Sequence, residues 1–410
     1  MKERYDTVII GGGQAGLAMS YCLQQRGREH IIIERRRIAE RWRTERWDSL
    51  RFQMPNWSLQ LPGKSYAGDD PHGFADYSDI LRFVEDYAGE IAAPVRTGTE
   101  VMALDRDDHS DGFSISTARG AIAARHVVIA TGPFQRPQIP EFSRGFPSYI
   151  YQTDATHYRN PDELPAGSVL IVGSGASGCQ IAEELLRNGR KVFLSISRHR
   201  SVPRRYRNRD VVWWAEKLKL FDVPIDSFPG KKYPPTTIMT GIDGGHDIDA
   251  RALAKSGATL LGRVRSVSES KLGLADDAAQ ILKEADKSYT DFISAANTLA
   301  ATHAMRTEVE QGDGPPPQVS PQFQFSSSLD LRAENIRSVI WTTGHGYTFD
   351  WVKLPIFDAG GMPIQQRGVT DCPGAYFLGL HWMHTFGSGI LAYVGKDAAF
   401  LADHMDRMAG

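Results

Sequence analysis

Apolar and polar positions divide the chain into short elements, and one arrangement of elements occurs twice. An apolar run that ends in a glycine cluster is followed by residues with helical spacing and then by a second apolar run. Strand, tight turn, helix and strand in this order predict parallel pairing and an α/β fold. The predicted elements are a strand, a helix and a strand at Tyr5–Ile10, Gln14–Arg26 and His30–Glu34, and their counterparts at Val169–Val172, Ala176–Arg187 and Lys191–Ile196.

Two further apolar runs predict buried strands that end in a Thr-Gly pair. His126–Ala130 precedes the first pair, and Val339–Thr342 precedes the second. The spacing of apolar residues also predicts a closing helix at Gly389–Met405. Residues 41–80 and 199–262 show no clear period, and residues 311–325 read as a linker or an extended segment.

The glycines of the two repeated turns have the spacing found where a backbone binds a dinucleotide. The G-x-G-x-x-G positions are Gly11, Gly13 and Gly16 in GGGQAG, and Gly173, Gly175 and Gly178 in GSGASG. The first glycine permits the tight turn, the second lets a pyrophosphate approach, and the third lets helix and strand pack closely. A lone match is weak evidence, because a glycine-rich turn without a ligand has the same letters. Two matches, each between a strand and a helix, predict two dinucleotide sites.

The residue that ends the next strand distinguishes the two sites. Glu34 ends it in the first unit, and a carboxylate accepts hydrogen bonds from ribose hydroxyls and repels a 2′-phosphate. We therefore expect FAD in the first unit. Ser197 and Arg198 stand at the corresponding place in the second unit, where a hydroxyl and a guanidinium suit a 2′-phosphate. This favours NADPH, although Arg198 can also be read as a solvated surface arginine.

Composition narrows the class of protein. The chain has 410 residues, 41% of them apolar and 23% charged, and a net charge of −2, which points to neither nucleic acid nor an anionic membrane surface. Its three cysteines form no CxxC pair, so we expect no disulfide framework and no zinc site. No apolar run reaches the ~18–20 residues that span a bilayer, and no signal peptide is recognisable. We expect a cytoplasmic protein of two or three domains.

The sequence resembles the flavin-containing monooxygenases, and among them the bacterial and plant-type branch that includes the indole-pyruvate monooxygenases. The resemblance runs from Tyr5 to about His404 and is weakest at 199–325. The stretches that carry it are the two glycine turns, RWRTERWDSLRFQMPNWSLQLPG at 41–63, VVIATGPFQRPQIP at 127–140 and VIWTTGHGYTFDW at 339–351.

The resemblance implies an α/β flavoprotein with two Rossmann-type dinucleotide-binding domains. The FAD-binding domain would comprise residues 1–160 and 331–410, with an NADPH-binding domain of residues 161–330 inserted in it. It also implies that NADPH reduces FAD, that O2 is captured as a flavin C4a-(hydro)peroxide, and that one oxygen atom passes to a small organic substrate.

The turns, the strand ends and the resemblance together give a set of predicted cofactor-binding residues. On the FAD side they are Gly11, Gly13, Gln14, Ala15, Gly16, Glu34, Arg35, Trp42, Trp47, Val101, Ala130, Thr131, Gly132, Gly379 and Ser388. On the NADPH side they are Gly173, Ser174, Gly175, Ser177, Gly178, Ser197, Arg198 and Arg204. Thr343 and Gly344, the second Thr-Gly pair, complete the set of predicted cofactor-binding residues. Arg204 belongs to PRRYRNRD at 203–210, which can equally be a solvated loop.

Two positions depart from the family pattern. In the fingerprint F-x-G-x-x-x-H-x-x-x-Y/F, Tyr158 supplies the aromatic residue, so Asp154 occupies the histidine position and His157 falls three places late. Many relatives have Asn near Gln53, where it is thought to help hold the reduced nicotinamide and the peroxide. Gln53 keeps the amide on a longer arm, and Asn56 is a nearby substitute.

HWMHTFGSG at 381–389 contributes histidines close to the expected flavin edge. A histidine there can hydrogen-bond a peroxide or move a proton near neutral pH, although a packed core residue fits the same letters. Our catalytic candidates are Gln53, Asn56 and His384. GIDGGHDID at 241–249 invites a metal site, but a turn before a helix at Ile248–Lys255, capped by Asp247, explains it better. We therefore predict no metal.

Three functions share the two nucleotide motifs. The favoured one is an FAD- and NADPH-dependent monooxygenase acting on a small molecule with O2. The second is an NADPH-dependent flavin reductase or dehydrogenase that inserts no oxygen. The third is a nucleotide-sensing flavoprotein that reports redox state to a partner.

Overall fold

The structure, a computed structural model, describes residues 3–107, 112–228, 234–302, 305, 308–310, 323 and 325–409. The strands in chain order are β1 Glu3–Ile10, β2 His30–Ile33, β3 Gln60–Leu61, β4 Lys64–Ser65, β5 Val95–Arg96, β6 Val101–Arg106, β7 Phe113–Thr117, β8 Gly120–Ile129, β9 Arg136–Pro137, β10 Tyr151–Asp154, β11 Ser168–Val172, β12 Val192–Ser195, β13 Arg205–Tyr206, β14 Arg209–Asp210, β15 Thr259–Leu261, β16 Val264–Ser268, β17 Lys271–Leu274, β18 Ser328–Asp330, β19 Ile336–Trp341, β20 His345–Gly346 and β21 Ala375–Phe377. The helices are α1 Gln14–Gln24, α2 Glu40–Thr44, α3 Tyr77–Glu90, α4 Ala176–Arg187, α5 Val211–Lys217, α6 Ala250–Lys255, α7 Ala278–Ala300 and α8 Val394–Ala409.

The first sheet has the order β5-β2-β1-β8-β7-β6, with β21 also paired to β8. Strands β5, β2, β1, β8 and β21 pair in parallel, and β6 and β7 add an antiparallel edge. The central strands are continuous apolar runs, as expected for a parallel sheet covered on both faces. Helix α1 returns the chain from β1 to β2 and packs against α8.

The second sheet has the order β10-β19-β11-β12-β15, and every pair in it is parallel. Helix α4 joins β11 to β12 as α1 joins β1 to β2. Both glycine turns therefore follow a strand flanked by a neighbour on each side, where open α/β sheets leave a crevice for ligands. We call the parts of the chain built on these sheets the first and the second unit.

Strand pairing corrects the predicted domain boundaries. The predicted FAD-binding domain includes residues 151–160 and 331–341, but β10 and β19 pair with each other, and β19 also pairs with β11. The strands of the second sheet therefore span residues 151–341, and the strands of the first span 3–129 and 375–377. The sequence misplaces the boundary because the partners of a parallel strand lie far away along the chain.

Two predicted helix starts also move. The closing helix begins at Val394, because Phe386–Gly389 forms a separate 3-10 turn. Helix α6 begins at Ala250 with Asp249 as its N-cap, and the predicted cap Asp247 instead accepts the backbone N–H of Arg204 at 2.6 Å. The predicted linker at 311–325 lies outside the described residues except for Phe323 and Phe325.

Neither a membrane span nor a metal cluster is found in the described ranges. No helix there combines the length and apolar character needed to cross a bilayer. No group of three or more His, Cys, Asp or Glu side chains in that part of the chain could hold a metal ion.

Candidate functional site

The first glycine turn leaves β1 at the carboxyl edge of the first sheet. Gly11 has φ +116°, and a Cβ there would lie 2.6 Å from the carbonyl oxygen of Ala130 at the end of β8. A Cβ on Gly16 would overlap the carbonyl oxygen of Gly11. Because only glycine fits either position, the turn brings α1 directly against the ends of β1 and β8.

The N-terminus of α1 is open. Gly13 is its N-cap and provides no side-chain cap, and a Cβ on Gly13 would meet no atom within 4 Å. Gly379 approaches the same helix end so closely that a Cβ there would lie 2.5 Å from Cβ of Ala15, and Gln14 Nε2 donates to the carbonyl of Gly389 at 3.0 Å. Free N–H groups at a helix start bind phosphate, so this end fits a pyrophosphate.

Glu34 lies beside the first turn, as its predicted ribose contact requires. Its Oε2 accepts the backbone N–H of Gly12 at 2.7 Å, and its Oε1 accepts that of Arg36 at 2.8 Å. A carboxylate has about four lone-pair sites, so acceptor capacity for ribose hydroxyls remains. Arg35 is exposed next to it, and Val101 is half-buried at the start of β6.

The second glycine turn repeats the first. Gly173 has φ +110°, and a Cβ there would lie 2.5 Å from the carbonyl oxygen of Thr342. A Cβ on Gly178 would overlap the carbonyl oxygen of Gly173. Gly175 is the N-cap of α4 without a side-chain cap, and a Cβ on Gly175 would meet no atom within 4 Å. The end of α4 therefore offers the same open N–H groups.

The strand end beside this second turn carries hydroxyls in place of a carboxylate. Ser197 Oγ accepts the backbone N–H of Ser174 at 3.2 Å, and Ser174 Oγ accepts that of Ser197 at 2.9 Å. Ser174 is buried, so its side chain fixes the turn and does not face a ligand. Arg198 is exposed, and its Nε lies 3.3 Å from Oε2 of Glu284. Ser177 is half-buried in the first turn of α4.

The two Thr-Gly pairs lie where the chain crosses between the units. Thr343 Oγ1 donates to the carbonyl of Gln138, and Gln138 N–H donates to the carbonyl of Gly344 at 2.9 Å. These contacts extend the antiparallel pair β9–β20. Thr131 and Gly132 precede β9 on the other crossing, and a Cβ on Gly132 or Gly344 would meet no atom within 4 Å. Both crossings thus leave room beside the backbone.

Three rings from different segments meet beside these crossings. The ring of Phe134 stands edge-on to His345 at 5.3 Å and to His381 at 5.0 Å between centroids. His381 keeps an exposed surface, yet desolvation by surrounding protein, with a smaller effect of His345, lowers its pKa to about 4. Desolvation likewise lowers the pKa of His345. The three rings come from segments that follow the two Thr-Gly pairs and β21, and we call Phe134, His345 and His381 the ring cluster.

Trp42 and Arg46 lie on the segment that follows β2. Trp42 packs against the cores of both units, and its ring stands edge-on to Phe52 at 6.3 Å. The Arg46 guanidinium carbon lies 4.6 Å from the centroid of the Trp42 ring. Desolvation lowers the pKa of Arg46 to about 10. The pKa of His345 is lowered by both Arg41 and Arg46, which places this segment near the histidine rings.

His384, the predicted catalytic histidine, has other neighbours. Its Nδ1 lies 3.9 Å from Oδ1 of Asp397 on α8, and its carbonyl accepts the N–H of Ile225. Trp382 lies between the two histidines in sequence and has a left-handed backbone, φ +50°. Of the two histidines, His381 is the one whose ring contacts Phe134.

Gln53 remains a candidate, and Arg204 does not. Gln53 is half-buried, and its side-chain amide has no hydrogen-bond partner among the described residues. Arg204 is 2% exposed, with Nη2 2.8 Å from Oδ2 of Asp210 and Nη1 donating to the Gln53 carbonyl at 2.7 Å. Its guanidinium also lies 4.3 Å from the Phe74 ring centroid. The structure corrects the predicted phosphate contact of Arg204, because its guanidinium is buried and paired with Asp210.

Three further predicted site residues are structural. Asn56 donates through Nδ2 to the carbonyl of Asp70 at 2.9 Å and accepts the N–H of Ala75 at 2.7 Å, so its amide braces a loop and cannot replace Gln53. Trp47 is 4% exposed and belongs to the hydrophobic core of the second unit. Ser388 is buried, and its hydroxyl accepts backbone N–H groups that close the 3-10 turn.

The residues at the family fingerprint, where this chain departs from the pattern, also have structural roles. Asp154 accepts from the Nδ1 of His157 at 2.8 Å, and Tyr158 donates to Oε2 of Glu184 on α4 at 2.7 Å. The first bond closes the turn after β10, and the second ties that turn to α4.

The sequence analysis assigns no role to Phe134, His345 and Arg46. Phe134 and His345 each follow a Thr-Gly pair by two positions or fewer, and this repeated placement is a usable signal. Arg46 has no such signal, because it stands among six other arginines between residues 35 and 51.

The chain is similar to known oxidoreductases. The model of the family described as pyridine nucleotide-disulphide oxidoreductase matches residues 8–214. The uncharacterized oxidoreductase CzcO-like of Geobacillus kaustophilus (strain HTA426) is 33% identical over 406 residues, 98% of each chain. The probable indole-3-pyruvate monooxygenase YUCCA1 of Arabidopsis thaliana is 29% identical over 197 residues, 46% of each chain. A flavin-containing monooxygenase from Stenotrophomonas maltophilia matches with a TM-score of 0.69 at 18% identity and complete coverage of both chains, so the fold is shared.

Proposed function

Since the chain belongs to the pyridine nucleotide-disulphide oxidoreductase family, we propose that it is an FAD- and NADPH-dependent monooxygenase. It would pass one atom of O2 to a small organic substrate. In this proposal the first unit is the FAD-binding Rossmann-type domain, and the second unit is the NADPH-binding domain inserted in it.

One observation carries the proposal. Helices α1 and α4 both begin without a side-chain cap, directly after a glycine turn and with open space at Gly13 and Gly175. A turn that bound nothing would gain from a Ser, Thr, Asp or Asn cap, which stabilises a helix by about 1 kcal/mol. Two vacant caps in matching positions support two pyrophosphate sites in one molecule.

The neighbouring side chains assign a nucleotide to each site. Glu34 would accept the ribose hydroxyls of FAD, and its charge excludes a 2′-phosphate. Ser197 and Arg198 would bind the 2′-phosphate of NADPH, since a hydroxyl and a guanidinium donate to a phosphate together. FAD, when bound, supplies the two-electron chemistry and the activation of O2 that no side chain provides.

The ring cluster would limit water and protons where oxygen is transferred. Desolvation lowers the pKa values of His345 and His381, which favours their neutral form. Phe134 packs against both histidine rings. Dry surroundings suppress the release of hydrogen peroxide that competes with oxygen transfer.

The finer proposal, which the family resemblance implies, is that oxygen is held as a flavin C4a-(hydro)peroxide. The test is to reduce the purified protein with one equivalent of NADPH without oxygen and then mix it rapidly with oxygenated buffer. An oxygenated intermediate that persists for seconds supports a monooxygenase. Direct reoxidation with stoichiometric hydrogen peroxide, with and without candidate substrates, would favour the flavin reductase instead.

The cysteines argue against disulfide reduction, the other chemistry that the family name suggests. Cys22, Cys179 and Cys372 are buried and unpaired. Burial raises the pKa of the Cys22 thiol to about 11 and also raises that of Cys179, so neither is a ready thiolate. Unpaired thiols also suit the cytoplasmic location that we propose.

A further inference from the structure

The residue that would recognise the nucleotide is held differently in the two units. In the first unit, Glu34 is still bonded to the neighbouring strand, since its N–H donates to the carbonyl of Arg96 at 2.9 Å. In the second unit, Ile196 makes the corresponding bond, to the carbonyl of Leu261 at 2.9 Å. Ser197 therefore lies one residue beyond this edge of the sheet, and side chains hold its backbone.

Two buried side chains hold the backbone of Ser197. Its N–H donates to Ser174 Oγ at 2.9 Å, and that hydroxyl donates to the Ser197 carbonyl at 3.1 Å. The same carbonyl lies 2.8 Å from Nδ1 of His199, and His199 is 3% exposed. Because a carbonyl oxygen can only accept, Nδ1 of His199 carries a proton and donates it to Ser197.

Packing alone does not explain a histidine at position 199. Its Nε2 is buried without a hydrogen-bond partner among the described residues, and an unpaired buried polar atom costs stability. Desolvation lowers the pKa of His199, which favours the neutral ring with its one proton on Nδ1. An aliphatic side chain would fill the same space without that cost. The contacts of Nδ1 with the Ser197 carbonyl and, at 3.2 Å, with Ser174 Oγ therefore distinguish His199 from a residue that only fills the core.

The restrained carbonyl belongs to the peptide between Ser197 and Arg198. In a trans peptide the C=O and N–H groups point in opposite directions, so the N–H of Arg198 points away from His199. This N–H donates to no described residue, and Arg198 is exposed. Ser197 Oγ accepts the N–H of Ser174 at 3.2 Å and keeps its own proton to donate. A backbone N–H, a hydroxyl and a guanidinium are therefore adjacent and available to an anion.

We propose that His199 is a positioning residue for coenzyme preference. It would fix the peptide between Ser197 and Arg198 so that both residues direct their donors at the 2′-phosphate of NADPH, without itself contacting the coenzyme. The inference rests on the proposed function, namely on NADPH binding to the second unit, and adds a residue that sets the specificity of that site. Glu284 also restrains Arg198, but its carboxylate would repel a phosphate, so Glu284 is not the residue that favours NADPH.

The experiment measures reduction of the bound flavin, which precedes any oxygen transfer. FAD-loaded protein is mixed rapidly with NADPH or NADH without oxygen, and the flavin absorbance gives a limiting rate and a Kd for each coenzyme. In the variant His199→Leu the Nδ1 donor is lost, whereas His199→Asn keeps an amide N–H at the same distance from the backbone. The control is His126→Leu, which removes the buried histidine of β8 in the first unit.

We expect the wild-type protein to bind NADPH more tightly than NADH. His199→Leu should raise the Kd of NADPH about three- to tenfold, as loss of one hydrogen bond does, and change that of NADH by less than about twofold. The limiting rate of flavin reduction should stay the same, because the position of the nicotinamide does not depend on His199. His199→Asn should keep most of the preference, and His126→Leu should keep all of it.

Three results would overturn the inference and leave the proposed function in place. They are an unchanged preference in His199→Leu, an equal loss of affinity for both coenzymes in that variant, and a His199→Asn protein as impaired as His199→Leu. The second result would show that His199 only stabilises the fold. If His199→Leu does not fold, His199→Gln, which moves the donor one bond outward, replaces it in the same comparison.

A failure of the proposed function has a different signature. Wild-type protein that binds NADPH and NADH equally would refute the NADPH assignment, and the inference with it. Wild-type protein that prefers NADPH but releases only hydrogen peroxide would refute the monooxygenase and leave the role of His199 intact.

Discussion

The two glycine turns have the same backbone and different neighbours. In both, a Cβ on the first glycine would lie too close to a carbonyl oxygen at the end of the adjacent strand. The distance is 2.6 Å from Gly11 to the oxygen of Ala130 and 2.5 Å from Gly173 to that of Thr342. In both, the middle glycine is an open helix cap. The turn itself is thus a general frame for a pyrophosphate and carries no information about which nucleotide binds.

The difference lies one strand further along. Glu34 presents a carboxylate to the N–H of Gly12 at 2.7 Å, and Ser197 presents a hydroxyl to the N–H of Ser174 at 3.2 Å. The same backbone position is therefore held by a negative group in one unit and by a neutral group in the other. In our proposal this residue sets the selectivity between nucleotides, while the backbone of the turn is the same in both units.

The largest expected effect tests the shared frame. Gly16→Ala and Gly178→Ala each place a Cβ onto a backbone carbonyl oxygen, so we expect losses of about 4 kcal/mol or more in the free energy of unfolding. Gly13→Ala and Gly175→Ala meet no atom and should cost less than about 1 kcal/mol. Denaturant unfolding measures both pairs.

The Gly13→Ala and Gly175→Ala variants should lose nucleotide affinity instead of stability. We expect Gly13→Ala to purify with little FAD and Gly175→Ala to bind NADP⁺ weakly, because the new methyl group occupies the approach of the pyrophosphate. Normal cofactor affinity in either variant would show that its turn is only structural.

Two buried histidines extend the comparison to pH. His126 in β8 has no hydrogen-bond partner for either ring nitrogen among the described residues, and desolvation lowers its pKa to about 4. The unfolded state binds its proton below about pH 6.5, so stability is lost as pH falls from 6.5 toward 4, by about 3 kcal/mol at pH 4. His126→Leu should remove this loss in urea unfolding at pH 7 and pH 4.5.

His199 of the second unit is the matched control. Its Nδ1 bonds to the carbonyl of Ser197 at 2.8 Å and lies 3.2 Å from Ser174 Oγ. His199→Leu breaks these bonds and should lower stability at pH 7. Because desolvation also lowers the pKa of His199, the variant should lose less further stability than wild type as pH falls. A His126→Leu protein as acid-sensitive as wild type would contradict the assignment.

Comparing NADPH with NADH in variants of the second unit tests directly whether its strand end sets coenzyme preference. Arg198→Ala should reduce the preference for NADPH over NADH in kcat/KM by about tenfold to a hundredfold, the effect of losing a charged hydrogen bond. Ser197→Glu should reverse the preference. Glu284→Gln, which frees Arg198 from its 3.3 Å ion pair, should strengthen it. Equal kcat/KM for the two coenzymes in the wild type would refute the assignment of the second unit.

The smallest expected effect is that of replacing Gln53, which belongs to neither glycine turn. Gln53→Ala should raise the fraction of NADPH lost to hydrogen peroxide about two- to tenfold, as loss of one neutral hydrogen bond would. Asn56→Ala should leave this fraction unchanged and cost about 1–3 kcal/mol in stability, because it leaves the Asp70 carbonyl and Ala75 N–H unpaired. Unchanged peroxide release in Gln53→Ala would remove Gln53 from the site.

The strand–turn–helix units, both glycine turns and the Glu34 and Ser197 positions could be predicted from the sequence, because each depends on neighbours within about 30 residues. The domain boundary could not, since β10 and β19 find their partners through the whole second unit. The role of Arg204 depends on Asp210 and Gln53, and the choice between His381 and His384 depends on their contacts with Phe134 and Asp397. No periodicity in the sequence indicates the role of Arg204 or the choice between the two histidines.

The pairing of β9 with β20 has a consequence for how such a molecule can arise and be rebuilt. The chain leaves the first unit and returns to it through two hydrogen-bonded neighbours, Pro137 opposite His345 and Arg136 opposite Gly346. Cα atoms in such a pair are about 5 Å apart, a gap that one tight turn closes. The second unit is therefore inserted between two paired antiparallel strands, where a hairpin would have its turn. An ancestor could acquire it without opening the first sheet, and a protein engineer could exchange it as a cassette for one of another coenzyme preference.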